Sequence, residues 1–459
     1  MDNKDLETLG EYLLELLDTR QIKLFREQLE DMNEHDIASF ISQLPRKKIA
    51  MVFRLLPKSI SADVFANLDV DEQHHIIECI TDRELGEIIE ELFLDDAVDL
   101  LEELPASVVK RVMHTAASET RALINQYLEY PDNSAGSIMT AEFVDLKLDM
   151  SVREAFTRIR RIGEDKETIY TCFVVSGDRK LEGVVTVKDM LLSDEDEQIR
   201  DIMDTQVIYV TTTEDQEDVS EKFSEYDLLA VPVVDKEHRL VGIVTVDDII
   251  DVLQEEATED FDKMAGITPT DKPYTRAGVM EIWKSRIPWL MLLMISATFT
   301  SLIILHFENA LATVAVLAGF IPMLMGTGGN SGSQSSTAVI RSLSLGDIAP
   351  RSVLRVLWKE LRVAVLCAGS LAVVNYAKMF LIDRLLLGNS QVTPIIALVV
   401  SLTLVFTVIL AKLVGSTLPL LAEKVGIDPA VMASPLISTL TDAMSLLIYF
   451  TVATAILHI

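Results

Sequence analysis

Ile287-Pro-Trp-Leu-Met-Leu-Leu-Met-Ile-Ser-Ala-Thr-Phe-Thr-Ser-Leu-Ile-Ile-Leu-His-Phe307 decides the fold class. Its 21 residues include no Asp, Glu, Lys or Arg. About 20 mostly apolar residues are what a helix needs to cross a bilayer. Comparable runs follow at roughly Ala310 to Met325, Leu361 to Phe380, Pro394 to Leu413 and Ala430 to Leu457. Five spans are therefore expected. Basic residues crowd the approaches to alternate spans: Lys284 and Arg286, then Arg341, Arg351, Arg355 and Lys359, then Lys424. Basic loops stay inside, which predicts a cytoplasmic N-terminus and places the C-terminal His458-Ile459 outside.

Working outward from the spans, the charge is divided unevenly. Eight acids and eleven bases lie from residue 277 onward, leaving 63 acids and 29 bases ahead of it, so the front carries about −34 and the back about +3. A front this acidic repels nucleic acid and attracts cations. The three cysteines, Cys79, Cys172 and Cys367, lie far apart and imply no disulfide framework. The N-terminus lacks the basic and apolar regions of a cleavable signal. No nucleophile motif or metal-spaced histidine pair argues for an enzyme.

Two repeats organise the front. Between residues 36 and 105, Leu44, Leu56, Leu68, Ile80, Leu92 and Leu104 recur every twelve residues, each preceded at −4 and −3 by two apolar residues. That spacing marks one face of a short helix. Pro45, Pro57 and Pro105 stop three of them, and such helices bury their faces only by stacking. The second repeat pairs Leu181-Glu-Gly183-Val-Val-Thr186-Val-Lys-Asp189 with Leu240-Val-Gly242-Ile-Val-Thr245-Val-Asp-Asp248. Ser137-Ile-Met139 likewise pairs with Asp201-Ile-Met203. Each half predicts helix, strand, Gly turn, strand, and a helix capped by Thr186 or Thr245. The Gly-x-x-Thr-x-x-Asp pattern resembles tandem CBS domains. In that family the Thr and Asp often hold an adenosine ribose, which makes Asp189 the candidate ATP contact; the alternative is that it only caps a helix.

After Thr245, residues Asp248, Asp251, Glu255, Glu259 and Asp262 form one acidic stripe, flanked by Glu256 and Asp260. Like charges at i, i+4 each cost about 0.2–0.5 kcal/mol. A hard divalent cation between such faces removes the repulsion; the alternative is a solvated helix face. Asp227, Glu217, Asp95, Asp96 and Asp99 add carboxylates. In span five Asp442 shares a helix face with Ser438, Thr439 and Ser445, and intramembrane carboxylates usually face a pathway. Span two runs into Pro322-Met-Leu-Met-Gly326-Thr-Gly328-Gly329-Asn330-Ser-Gly332-Ser-Gln334. So many glycines are expected to interrupt the helix and line water with bare backbone. One carboxylate with hydroxyls and carbonyls suits a hydrated Mg2+, which gives up water reluctantly.

The order of parts, with Gly326-Thr-Gly-Gly-Asn330, Asp428-Pro429 and Thr441-Asp442, resembles the MgtE family of Mg2+ channels. The resemblance implies a multidomain membrane protein. Its parts would be an all-α helical-repeat domain (1–130), α/β tandem CBS domains (131–253), an acidic connecting helix and linker (254–286), and an all-α transmembrane pore domain of five helices (287–459). It implies a homodimer in the plasma membrane, no nucleic-acid partner and no enzymatic activity. Mg2+ would be both cargo and regulator, Co2+, Mn2+ and Ca2+ being carried more weakly, with ATP as a second ligand. Asp442 would hold the ion in the pore, beside Gly326, Gly328, Gly329, Asn330, Ser438 and Thr439. Asp95, Asp99, Asp227, Asp248, Asp251, Glu256, Glu259, Asp260 and Asp428 would bind regulatory Mg2+, with Asp63 and Glu217 as further matches. The competing reading is a proton- or Na+-coupled divalent cation transporter.

Overall fold

Prolines that stop one helix also open the next: Pro45, Pro57 and Pro105 stand at the N-caps of three of the repeat helices. The computed structural model describes residues 3–270, 274–275, 277–348, 352–432 and 434–458. Arg351 and Ile459, used in the orientation argument, lie outside the described residues, as do 271–273 and 276 of the linker. The chain divides into two units, Met1–Leu253 and Gln254–Ile459.

The first unit opens with α1 (Asn3–Asp18), α2 (Ile22–Glu30), α3 (Glu34–Ser42), α4 (Arg46–Phe53), α5 (Lys58–Ala66), α6 (Val70–Cys79), α7 (Asp82–Glu91), α8 (Leu94–Glu103), α9 (Ala106–Thr115) and α10 (Ser118–Tyr127). The twelve-residue period is the helix-plus-turn repeat. Phe40, Val52, Val64, Ile76, Ile88, Leu100 and the residue after each are buried. Alternate helices pack together: α3 on α5, α4 on α6, α5 on α7, α7 on α9, α8 on α10. This is the stacking that short amphipathic helices need.

Two three-stranded sheets follow. The first joins β1 (Asp145–Lys147), β2 (Thr171–Val175) and β3 (Leu181–Thr186), with α11 (Val152–Ile162) before β2 and α12 (Val187–Leu192) after β3. The second begins with α13 (Ile199–Ile202) and joins β4 (Val210–Thr211), β5 (Ala230–Val234) and β6 (Leu240–Thr245), with α14 (Gln216–Tyr226) before β5 and α15 (Val246–Ala265) after β6. The expected Gly turn is corrected. Gly183 and Gly242 lie inside β3 and β6, and the turns place Arg179 (φ 62°) and His238 (φ 64°) in the left-handed region. The glycines are there for close approach. A Cβ on Gly183 would lie 2.6 Å from Met203 Sδ, and one on Gly242 2.7 Å from Met139 Sδ. The two aligned Ile-Met segments thus cross over, each lying on the other half's central hairpin, with bridges Val184–Asp204 and Thr140–Ile243. Phe143, Phe173, Leu181, Val234, Leu240 and Ile243 share one apolar cluster between the sheets.

In the second unit, α16 (Val279–His306), α17 (Glu308–Thr313), α18 (Ile321–Ser344), α19 (Val353–Lys378), α20 (Pro394–Val425) and α21 (Ser434–Leu457) follow the end of α15. The acidic stripe from Asp248 to Asp262 lies on one helix, α15, which begins at Val246. Among the described residues, four segments are long and apolar enough to cross a membrane: Val279–His306, Val353–Leu386, Pro394–Val425 and Pro429–Leu457. The expected second span over Ala310–Met325 does not form. That range holds α17, a 3-10 segment (Ala315–Phe320) and only the first turn of α18. Tyr449 donates from its hydroxyl to the Leu317 carbonyl at 2.9 Å and fixes that segment on α21.

The glycine-rich stretch is the second correction. Gly326 to Gly332 run inside the continuous helix α18. Each helical glycine costs about 1 kcal/mol against alanine, and close packing offsets it. A Cβ on Gly415 of α20 would stand 2.2 Å from the Gly332 carbonyl oxygen. One on Gly328 would stand 2.7 Å from Ser445 Oγ and 2.8 Å from Thr407 Cγ2. Small residues let membrane helices touch backbone to backbone. Gly415→Ala is therefore expected to cost about 1–3 kcal/mol by overpacking. Gly326→Ala, with nothing within 4 Å of the added carbon, should instead raise the melting temperature of the purified protein slightly, through the helix propensity it gains; thermal unfolding of the two variants checks both.

Candidate functional site

Helix N-termini gather the acids of the first unit. Asp95 and Asp96 open α8, and Asp247 and Asp248 open α15. The helix macrodipole favours acids in a first turn, but bringing two such turns together sets carboxylates against one another. Burial pushes Asp95 well above its ordinary value, helped by Asp96 and Asp248. Burial pushes Asp96 to about 6, with Asp248, Asp63, Asp247 and Glu142 adding to the rise. Glu167, in the loop after α11, is pushed to about 7 by burial and by Asp247, Asp248, Asp96 and Glu142. Asp248 is raised by burial although Thr245 Oγ1 donates to it at 2.6 Å. Asp63 is raised by partial desolvation and by Glu34. Asp63, Asp95 and Asp248 thus share one electrostatic neighbourhood. Asp96, read from the sequence beside Asp95, joins it, as do Asp247, Glu142 and Glu167, which no periodicity in the sequence announces.

Other candidates are dispersed. Asp99 is exposed on α8 and Asp251 on α15. Glu217 and Asp227 stand at opposite ends of α14, about 15 Å apart by helix rise. Asp227 caps that helix in the left-handed conformation (φ 50°). Among the described residues, no three Asp, Glu, His or Cys side chains converge closely enough to hold a metal ion. Asp189 forms the reciprocal cap of α12: Thr186 N and Oγ1 donate to its Oδ2 at 3.1 and 2.5 Å.

In the second unit the end of α15 lies on the membrane helices. Lys263 Nζ reaches Asp428 Oδ2 at 2.6 Å and also pairs with Glu259. Ser344 Oγ at the end of α18 donates to Asp260 Oδ2 at 3.0 Å. Met264 packs on Ile340 and Ala430. Burial lowers the Lys263 pKa, but the two ion pairs outweigh it and hold it above the ordinary lysine range. Burial also raises Asp260, assisted by Asp428 and Glu259 and opposed by Ser344. Glu256 lies one turn earlier, half-buried.

Among the spans, Asp442 is half-buried on α21. Its neighbouring hydroxyls are spent elsewhere. Thr439 donates to the Pro435 carbonyl at 3.0 Å and Ser445 to the Thr441 carbonyl at 2.6 Å. Ser438 meets Ser333 of α18 at 3.5 Å. Among the described residues no hydrogen bond or ion pair reaches the Asp442 carboxylate. On α18 the sequence candidates divide: Gly328 and Gly329 face α20 and α21, whereas Gly326 and Asn330 are exposed in the single chain.

Three family models match the chain: an intracellular N domain (MgtE_N) over residues 32–133, CBS domains over 135–195 and 199–255, and a divalent cation transporter domain (MgtE) over 321–452. The chain is 37% identical to the magnesium transporter MgtE of Thermus thermophilus over 98% of its length and 99% of the relative's. It is 33% identical to that of Bacillus subtilis over 96% of both. Its fold is similar to a crystal structure of the soluble part of a magnesium transporter (TM-score 0.53, 35% identity, covering 55% of this chain and 99% of that one). It is also similar to the cytosolic domain of the Mg2+ channel MgtE in complex with ATP (TM-score 0.50, 36% identity, covering 53% and 99%).

The carboxyl shifts carry a signed expectation. Acids whose folded pKa is raised keep protons longer in the folded chain, so stability is highest at low pH and falls as pH rises through the folded values. For Asp96 and Glu167 the window runs from the ordinary 3.8 and 4.5 to about 6 and about 7. In a chelator, the first unit should unfold more readily at pH 7.5 than at pH 5. Glu167→Gln should flatten that difference in thermal unfolding followed across the pH range.

Proposed function

The chain belongs to the MgtE family of divalent cation transporters, and on that premise we propose that it takes up Mg2+ along a path walled by α18 and α21 and is closed by Mg2+ bound to its acidic soluble domains. The observation that carries the path is Asp442, an intramembrane carboxylate with every neighbouring hydroxyl turned away. Such a group is costly unless it faces water or a cation. A single carboxylate per chain attracts Mg2+ without stripping its water shell. Two chains related by a two-fold axis would bring two Asp442 side chains, and the open faces of α18 with Gly326 and Asn330, to one pathway. With α18 as a fifth crossing in place of the expected span over Ala310–Met325, the soluble domains would be cytoplasmic and the C-terminus outside. Co2+, Mn2+ and Ca2+ would follow more weakly.

The closing signal follows from charge. Divalent cations among Asp63, Asp95, Asp96, Asp99, Asp247, Asp248 and Glu167 would relieve the repulsion and favour the compact first unit. Asp227, Asp251 and Glu217 would add weaker sites. The change passes along α15, whose end is tied to the pore helices by Lys263, Glu259, Asp260 and Asp428. An ion shifts such an equilibrium only by its differential affinity for the two states, so several weak sites give a steep response. ATP would be held at the exposed Asp189 carboxylate, whose Oδ2 caps α12 and leaves Oδ1 to a ribose hydroxyl.

Liposomes loaded with the full-length protein test the path and its control. Raising Mg2+ on the soluble-domain side should suppress Mg2+ flux, and Asp442→Asn should lower it about tenfold or more. Flux that follows a pH or Na+ gradient and ignores soluble-side Mg2+ would instead identify a coupled transporter. Lys263→Met should weaken the suppression, since it cuts the tie between α15 and Asp428.

A further inference from the structure

We propose that Lys412 is a positioning residue for Mg2+ transport, acting through Ser335 and Glu360 to fix where α18 stands in the wall of the ion path. Lys412 lies within α20, one of the four apolar spans. It is 5% exposed. A lysine so placed needs a partner, and the structure supplies one across two other helices. Lys412 Nζ donates to Ser335 Oγ of α18 at 3.2 Å. Ser335 Oγ, 2% exposed, donates in turn to Glu360 Oε2 of α19 at 2.7 Å.

The hydroxyl has one proton to give and lone pairs to receive. Giving the proton to Glu360 and receiving from Lys412 orients it with the cation on the α20 side and the anion on the α19 side. Opposite charges therefore grip α18 from two neighbours through one small side chain. The grip sits one turn beyond Gly332, whose carbonyl touches Gly415 of α20. At that glycine contact few side chains interlock to set the register of α18 against α20, and the relay adds a directional tie. Removing Glu360 leaves Lys412 buried and uncompensated, and removing Lys412 leaves a half-buried Glu360 without its cation, whereas removing both leaves a neutral hydrogen bond from Ser335 to an amide. The proposal rests on α18 being a wall of the path, and its test separates the two.

Mg2+ flux against external Mg2+ is measured for the reconstituted full-length protein. Lys412→Met and Glu360→Gln should each lower maximal flux about tenfold while half-saturating Mg2+ stays put. The double variant should recover to within about threefold of the parent, the non-additivity expected of a coupled pair. Lys412→Arg should retain most flux. Parent-like flux in Lys412→Met, or a double variant as impaired as the two losses combined, overturns the proposal. Should Lys412→Met prove aggregated, Ser335→Ala, which leaves both charges in place, decides: reduced maximal flux in monodisperse protein upholds the relay, and parent-like flux refutes it. Asn330→Ala reports on the wall itself. If it conducts like the parent, α18 is not in the path and the proposal falls with that reading. If it is impaired while Lys412→Met is not, the wall stands and only the relay fails.

Discussion

Carboxylates crowded at two helix starts are the constraint from which the soluble unit's behaviour follows. The first turns of α8 and α15 each place acids where the macrodipole welcomes them, and the fold then sets the two turns in one electrostatic neighbourhood with Glu142 and Glu167. Burial and mutual repulsion act in the same direction, raising every carboxyl for which a shift is resolved there. Such a cluster has two ways to lower its energy: take up protons, or take up cations. Above the raised carboxyl pKa values, the second is the one available, and a hard divalent ion fits it. Under the proposed function, that repulsion is what would make the unit responsive to Mg2+.

The membrane unit solves an opposite problem. Its helices must pack without a hydrophobic drive between them. α18 does so by surrendering side chains, so that Gly332 meets Gly415 and Gly328 meets Ser445 and Thr407. The polar groups left in the interior are few and oriented. Ser438 meets Ser333 and Ser335 links Lys412 to Glu360, while among the described residues the Asp442 carboxylate, the buried Thr407 hydroxyl and the Asn375 side-chain oxygen are left without a hydrogen-bond partner. Of these, Asp442 is the group that carries a charge, and an intramembrane carboxylate usually faces a pathway.

Periodic features were legible in the sequence. The twelve-residue repeat states which residues each helix buries, and the structure buries Phe40 through Leu101 in that register. Thr186-x-x-Asp189 states its own cap, and the acidic stripe after Thr245 does lie on one helix. What failed was inference from composition at sites of long-range contact. Gly326 to Gly332 read as a helix break because the local cost of glycine is visible in sequence and the neighbouring Gly415, Thr407 and Ser445 are not. Gly183 and Gly242 read as turns because the methionines that need the space lie elsewhere in the chain. Glu167 sits in a loop with no pattern. Lys412 is announced only as a basic residue in an apolar run, its partners being on other helices.

Hydrogen–deuterium exchange of the full-length protein, with and without Mg2+ at cytoplasmic pH, tests the central claim most directly. The account predicts that Mg2+ slows exchange together at the starts of α8 and α15 and in the loop carrying Glu167, where carboxylates repel one another without it. Unchanged exchange at these three segments, with Mg2+ transport intact, would contradict it and return these acids to the role of a solvated surface.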